Sequence, residues 1–160
     1  MSPNNGGNTA LVHLQRTITV DVLDLDNQIL LSNVSGTVLY NTQSGSFKGT
    51  LDLGHDVIQT GSYLIKVKMP QSLRVTIPRK LDSGQINQVP QTELISGDMN
   101  NDNQVNINDY TVLLGCYSDF LPPVSCTPAQ KLGADLTDDG KVNQFDYNLF
   151  IRELTNIGGQ

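Results

Sequence analysis

The chain has 160 residues and a formal net charge of −6, enough length for one medium domain or two small ones with at least one hydrophobic core. Residues 1–96 carry seven acids and seven bases, whereas residues 97–160 carry nine acids and three bases. This imbalance predicts a cation site in the C-terminal part and argues against binding to nucleic acid or an anionic membrane. No apolar run approaches the roughly 18 residues that a membrane-spanning helix needs.

The chain opens with a run of Asn, Gly, Ser and Pro, MSPNNGGNTA. This run lacks the basic and apolar regions of a signal peptide and offers little to bury. We therefore interpret residues 1–15 as a disordered lead-in or linker and assign them no function.

Residues 16–92 contain short runs in which apolar and polar side chains alternate. In the first run Ile18, Val20 and Val22 fall on one face, as in a half-buried strand. Turn residues separate the runs, and a weaker segment at residues 86–89 could add an edge strand. This spacing predicts a small antiparallel β-sandwich. The further runs are GTVLYNT, SFKGTLDL, GSYLIKVKM and LRVTI.

The segment GSYLIKVKMP resembles part of the immunoglobulin-like or prealbumin-like modules of bacterial cell-surface and carbohydrate-active proteins. Asp52, His55 and Asp56 lie together in DLGHDV, but no nucleophile motif accompanies them, so we interpret the segment as a turn. His13 and His55 lack the spacing of a zinc site. We therefore predict that this domain is not catalytic.

Two twelve-residue windows repeat one another, DMNNDNQVNIND at residues 98–109 and DLTDDGKVNQFD at residues 135–146. Their spacing is that of an EF-hand loop, in which oxygens from positions one, three, five, seven, nine and twelve surround a hard cation. Neither loop offers imidazole or thiolate, and magnesium prefers a smaller octahedral shell, so we predict two calcium ions. The predicted ligands are Asp98, Asn100, Asp102, Gln104, Asn106 and Asp109 in the first loop, and Asp135, Thr137, Asp139, Lys141, Asn143 and Asp146 in the second.

Three positions depart from an ideal loop. The sixth position needs a sharp turn, which Gly140 makes easily and for which Asn103 is the best non-glycine choice. The hydroxyl of Thr137 is a weaker ligand than a carboxylate, so we expect the second loop to bind calcium less tightly. The closing residue of each loop is Asp in place of Glu, which requires the following helix to approach the ion more closely.

A helical stripe follows each loop. Tyr110, Leu113, Leu114 and Tyr117 follow the first, and residues 147, 150, 151 and 154 repeat that spacing after the second. Neither loop is preceded by a convincing helix, because PQTELISG and TPAQKLGA are short and interrupted by Pro or Gly. Duplicated loop-then-helix units closed by Asp resemble the dockerin domain over residues 96–155. That resemblance implies a non-catalytic, calcium-dependent module that docks into cohesin modules.

Positions ten and eleven depart from the dockerin pattern. Dockerins often carry small hydroxyl residues there, whereas this chain has Ile107 and Asn108 in one repeat and Gln144 and Phe145 in the other. Ile107 and Phe145 could form an unusual docking surface, or they could pack on the neighbouring β domain. We expect the intramolecular contact in addition to external docking, because the linker between the domains is short.

Cys116 and Cys126 flank a Pro-containing connection between the two repeats. In a chain with the character of an extracellular module they predict a disulfide, with a reduced pair as the alternative.

The sequence thus predicts a mainly β plus α protein with a lead-in at residues 1–15, a β-sandwich at 16–92 and a dockerin-like domain at 93–160. The predicted function is that of a non-enzymatic, calcium-binding docking module of a secreted or cell-surface protein, with a cohesin-like partner or its own β-sandwich as the docking target. The alternative is a calcium-stiffened adhesion or spacer unit. An enzymatic function would require a catalytic constellation in the β domain.

Overall fold

A computed structural model describes residues 2–3, 6–54, 58–118, 123 and 125–157. His55 and Asp56, part of the predicted turn, lie outside the described residues. The strands and helices of the described part are β1 Ser2–Pro3, β2 Gln15–Leu23, β3 Ile29–Asn41, β4 Ser46–Lys48, β5 Gly61–Lys68, β6 Gln71–Ser72, β7 Val75–Leu81, β8 Glu93–Leu94, β9 Ser96–Asp98, α1 Ile107–Cys116, α2 Pro128–Ala134 and α3 Gln144–Ile157.

The main layer of the β domain is a five-stranded antiparallel sheet in the order β4-β3-β2-β5-β7. The predicted alternation is confirmed, because apolar residues in register pair across strands on the buried face. Val22 lies opposite Ile65, and Ile65 lies opposite Ile77. The predicted fold class, mainly β plus α, is therefore confirmed. In place of two large layers of a β-sandwich, the described residues form this five-stranded sheet and two further sheets of two strands each.

Residues 86–89 form no strand, and the Ile86 side chain is 81% exposed. The predicted edge strand at these residues is therefore wrong. The segment instead forms a connection whose turn is held by Asn87, which accepts a hydrogen bond from the Asp82 backbone N–H at 2.8 Å.

Side chains from outside the five strands close the core of the β domain. Leu11, Ile58, Met69 and Leu94 are all buried in the same apolar cluster. Leu11 belongs to residues 1–15, for which the sequence predicts a disordered lead-in or linker, and its burial does not fit that prediction. Strand β1 also pairs, in parallel, with β8. Leu11 and strand β1 are therefore part of the packed structure.

The second core lies between the three helices and the loops. Leu113 and Phe150 are fully buried at its centre, as the helical stripes predicted. The rings of Tyr110 and Phe150 stack with their centroids 6.1 Å apart. Leu114 and Ile151, from the same stripes, remain exposed, so the stripes are wider than the core requires. None of the helices in the described part of the chain is long and apolar enough to cross a membrane.

Helix α2 directly precedes the second loop, although the sequence was expected to form no helix there. Thr127 caps it by accepting a hydrogen bond from the Gln130 N–H at 3.2 Å, while the Gln130 side chain accepts one from the Thr127 N–H at 3.0 Å. Pro128 occupies the first turn, where its missing N–H costs nothing. Gly133 allows the helix to approach loop one, since an added Cβ would lie 2.8 Å from the Met99 carbonyl oxygen.

The predicted disulfide is confirmed. Cys116, the last residue of α1, is bonded to Cys126, which precedes α2, with a Cα–Cα distance of 4.9 Å. The bond fixes the connection between the two repeats to the buried end of α1.

Reduction of this disulfide should lower the free energy of unfolding by about 2–3 kcal/mol, because it frees a short loop in the unfolded chain. Chemical denaturation with and without reductant measures the difference. A double Cys116→Ala/Cys126→Ala variant is the control and should not respond to reductant. Equal stability of the oxidised and reduced chains would contradict this assignment.

Candidate metal loops and docking residues

The two twelve-residue loops share one backbone conformation. Positions four and six are left-handed in both, with φ of 61° and 65° at Asn101 and Asn103, and of 56° and 85° at Asp138 and Gly140. The prediction that Asn103 would replace glycine in the sharp turn is confirmed. Asparagine tolerates this region better than other side chains, so both loops close in the same way.

The first position of each loop faces the sixth. One carboxylate oxygen of Asp98 accepts the Asn103 N–H at 3.0 Å, and one of Asp135 accepts the Gly140 N–H at 2.8 Å. The other oxygen of Asp98, Oδ1, is buried and has no hydrogen-bond partner among the described residues. A buried acceptor without a donor is costly unless a cation approaches it.

The closing residues tie the ends of each loop together. Asp109 is fully buried and accepts hydrogen bonds from the N–H groups of Met99 at 2.8 Å and Asn106 at 2.9 Å. In the second loop Asp146 accepts the Asn143 N–H at 2.9 Å. The closer approach of each following helix to the ion, which replacement of Glu by Asp requires, stays a prediction.

Positions nine and three take part in local bonds. Asn106 and Asn143 cap the helices that follow, with side-chain oxygens that accept N–H groups two residues later at 2.8 Å. The Thr137 hydroxyl donates to Asp146 at 3.0 Å. Direct ligation by Asn106, Asn143 and Thr137 therefore stays a prediction.

The remaining predicted ligands line the exposed side of the loops. The Asp102 carboxylate accepts the Gln104 N–H at 2.8 Å and the Asn100 side-chain amide at 2.9 Å. In the second loop Asp139 accepts the Lys141 N–H at 2.9 Å. Gln104 and Lys141 have exposed side chains, and at their position the predicted ligand is the backbone carbonyl.

Burial makes negative charge unfavourable in the second loop. Loss of hydration, followed by the nearby charge of Asp146, raises the pKa of Asp135 to about 6. Burial also raises the pKa of Asp146. A cation among these carboxylates would offset both effects.

The donor set of both loops is oxygen only, which suits a hard cation such as calcium. Within the described residues, no three His, Cys, Asp or Glu side chains converge into a ready-made metal cage. Most predicted ligands are instead held by hydrogen bonds within their own loop. These hydrogen-bonded side chains and the partnerless Oδ1 of Asp98 are consistent with loops whose oxygens would move closer together on binding calcium.

The second loop is bonded to the β domain through its fourth position. The Asp138 side chain is 2% exposed and forms an ion pair with Arg16 at 3.0 Å and a contact with His13. Its backbone carbonyl accepts the Val12 N–H at 3.0 Å. The sequence alone does not single out Asp138, because position four of such a loop supplies no metal ligand. The available signal is that position four is acidic in the second repeat but not in the first.

The first loop is also bonded to the β domain, again through its left-handed residues. Asn101, at position four, accepts the Gln71 N–H at 3.2 Å, and Asn103 accepts the Arg74 N–H at 2.7 Å. Strand β6 pairs with β9, which leads directly into this loop. Lys68 forms an ion pair with Asp98 itself.

The predicted docking residues lie outside this contact between the domains. Ile107 is 70% exposed and Phe145 is 69% exposed. The expectation that they could pack on the β domain is therefore wrong, although the two domains do contact each other. An open groove of about 280 Å³ adjoins Ile107, lined also by Asn106, Tyr110, Phe150, Ile151 and Leu154.

Comparison with known proteins supports the assignment of the repeats. Residues 96–155 match the family model of the dockerin type I domain. A chain from a crystal structure of a type II cohesin–X-dockerin complex from Acetivibrio cellulolyticus, a C-terminal interface mutant, is similar at 14% identity. Its TM-score is 0.47, over 85% of this chain and 80% of that one. No curated protein matches the sequence. The C-terminal part of the chain, residues 96–155, is thus similar to the dockerin type I domain and follows a mainly β domain.

Proposed function

We propose that the chain is a calcium-dependent docking unit whose helical face binds a cohesin-like module. The observation that carries this proposal is the exposure of Ile107 and Phe145 at the starts of α1 and α3. Both helices begin at the tenth position of a loop, so calcium binding in the loops would fix the helix ends that present these residues.

The exposed residues have the chemistry of a docking surface. Ile107, Leu114, Ile151 and Leu154 on α1 and α3 are large and apolar, and each is at least 37% exposed. Ile107, Ile151 and Leu154 line the groove described above. Exposed apolar side chains grouped in this way favour a protein partner, because their removal from water stabilises the complex. The dockerin family match supports a cohesin-like module as that partner.

The alternative function, a calcium-stiffened spacer, is supported by the contacts between the loops and the β domain. Ion pairs and backbone hydrogen bonds join both loops to it, and they would hold the two domains at a fixed angle. These contacts use positions one, four and six, whereas docking would use positions ten and eleven. The two roles are therefore compatible, and the β domain would orient the docking face.

The site of action we propose is extracellular. A disulfide between Cys116 and Cys126 persists only where the environment is oxidising. Extracellular calcium would also be abundant enough to saturate two loops of moderate affinity. We propose no catalytic role for either domain.

Calcium should bind at two sites and stabilise the fold. At a free concentration about 1000-fold above Kd, binding at one site adds about 4 kcal/mol to the free energy of unfolding, and chelation with EDTA should remove it. Calorimetry should find two ions per chain, with the loop that contains Thr137 expected to be the weaker site.

Asp98→Asn and Asp135→Asn should each reduce the calcium stoichiometry from two to one. Asn retains an acceptor for the N–H at position six, so the loop geometry should survive. Asp26→Asn, an exposed residue in the β domain, is the matched control. A parent stoichiometry below two, or melting that EDTA does not change, would refute the paired calcium sites.

Phe145→Asp should abolish binding to a cohesin module while melting and calcium affinity stay nearly unchanged. The ring is largely exposed, so the charge costs the folded chain no more than about 0.5 kcal/mol. Ile86→Asp, an exposed apolar residue of the β domain, is the matched control and should bind like the parent. Binding can be measured by surface plasmon resonance against a panel of recombinant cohesins. Failure of the parent to bind any of them would favour the spacer function.

Asp138→Asn should weaken the contact between the domains. Asparagine tolerates the positive φ at this position, so the change removes charge without straining the backbone. Loss of the buried partner of Arg16 should cost about 3 kcal/mol of stability. Asp82→Asn, which breaks an exposed pair with Lys80, is the control and should cost less than about 1 kcal/mol. Equal effects of the two variants on denaturation would contradict the anchoring role of Asp138.

A further inference from the structure

Lys68 of the β domain reaches into the first loop of the dockerin domain. It is the last residue of β5, and its ammonium forms an ion pair with Asp98 Oδ2 and a hydrogen bond to the Ser72 carbonyl oxygen at 3.0 Å. Its side chain is 14% exposed and that of Asp98 is fully buried. The pair is therefore shielded from water and salt, which would weaken it at the surface.

Asp98 is also the first predicted calcium ligand of that loop. Its Oδ2 is already engaged by Lys68 and by the Asn103 N–H, whereas Oδ1 has no hydrogen-bond partner within the described residues. One carboxylate thus has one oxygen for the lysine and one for a second cation. Two cations that share one buried carboxylate repel each other at short range.

The second loop has a different arrangement at its first position. Asp135 accepts hydrogen bonds from the N–H groups of Asp139 at 3.1 Å and Gly140 at 2.8 Å. No lysine or arginine in the described part of the chain forms an ion pair with it. The cation of the β domain that contacts this loop, Arg16, pairs with Asp138 at position four, which is not a predicted ligand. A basic side chain on the first ligand is therefore a property of loop one.

We propose that Lys68 is a built-in competitor for calcium in the first loop, so that calcium binding there and the Lys68–Asp98 contact between the domains weaken each other. The proposal rests on the calcium-binding role of the loops proposed above. At low calcium the ammonium balances the buried charge of Asp98 and keeps loop one attached to β5. At high calcium the ion takes over that role, and the domains remain joined through β6, β9 and the hydrogen bond that the Asn103 side chain accepts from the Arg74 N–H.

The coupling is reciprocal, since two ligands that disfavour each other must do so by the same factor. Lys68 therefore raises the calcium concentration at which loop one fills. In exchange it stabilises the calcium-free chain, whose first loop would otherwise contain an uncompensated buried carboxylate.

The test compares Lys68→Met with Lys48→Met, an exposed lysine of β4 whose loss changes the net charge equally. Calcium is titrated into the full chain, and NMR follows the amides of Asn103 and Gly140, which report on loops one and two separately. In Lys68→Met the loop-one Kd should fall about tenfold, within the usual range of coupling between sites, while the loop-two Kd stays within about twofold of the parent. Lys48→Met should change neither.

Lys68→Met should also melt at a lower temperature than Lys48→Met in EDTA, and this difference should shrink in saturating calcium. Lys68→Arg, which keeps the charge, should retain a loop-one Kd near that of the parent. Equal loop-one affinities of the Met variants and the parent would overturn the inference while leaving calcium binding intact. If neither reporter amide responds to calcium in the parent, the proposed calcium function itself fails.

A measurement on the unaltered chain covers the case in which Lys68→Met does not fold. The acetylation rate of each lysine amine can be followed by mass spectrometry with and without calcium. Calcium should increase the rate at Lys68 at least severalfold relative to Lys48, because the ion weakens the bond of Lys68 to Asp98. An unchanged ratio would overturn the inference.

Discussion

The structure depends on one contact, in which the left-handed turns of two oxygen-rich loops are bonded to a β domain. Asn101 and Asp138 each occupy the fourth position of their loop. Asn101 accepts a hydrogen bond from the Gln71 N–H, and Asp138 forms an ion pair with Arg16. The same turns determine where positions one and twelve lie. Attachment to the β domain and formation of the candidate metal sites are therefore two results of one backbone conformation.

This arrangement divides each repeat into two functional parts. The loops contain buried carboxylates, among them Asp98, Asp109 and Asp146, and Asp98 contacts the β domain. The helix that starts at position ten leaves Ile107 or Phe145 exposed. The intramolecular contact and the proposed external partner would therefore not compete for the same residues.

Much of the second domain could be predicted from the sequence, because its information is local. Oxygen-bearing side chains recur at fixed spacing within twelve residues, and Asn103 could be identified as the substitute for glycine. Helix α2 also has a local signal, the capping box that Thr127 and Gln130 form around Pro128. The expectation of no helix rested on the interruption at Gly133, which this capping box outweighs.

Contacts between residues that are distant along the chain could not be predicted from the sequence. Lys68 and Asp98 are separated by 30 residues, and Arg16 and Asp138 by far more, and no periodicity relates them. Burial of Leu11 and exposure of Phe145 also depend on which surfaces meet in three dimensions. Local propensity indicates that such residues are apolar but does not indicate what covers them.

The central claim is that the β domain and the dockerin-like domain, once calcium is added, form one cooperative unit joined through the loops. Differential scanning calorimetry of the full chain in saturating calcium tests this claim most directly. The account predicts a single transition whose calorimetric and van't Hoff enthalpies agree. Two separate transitions, one of them insensitive to calcium, would contradict it.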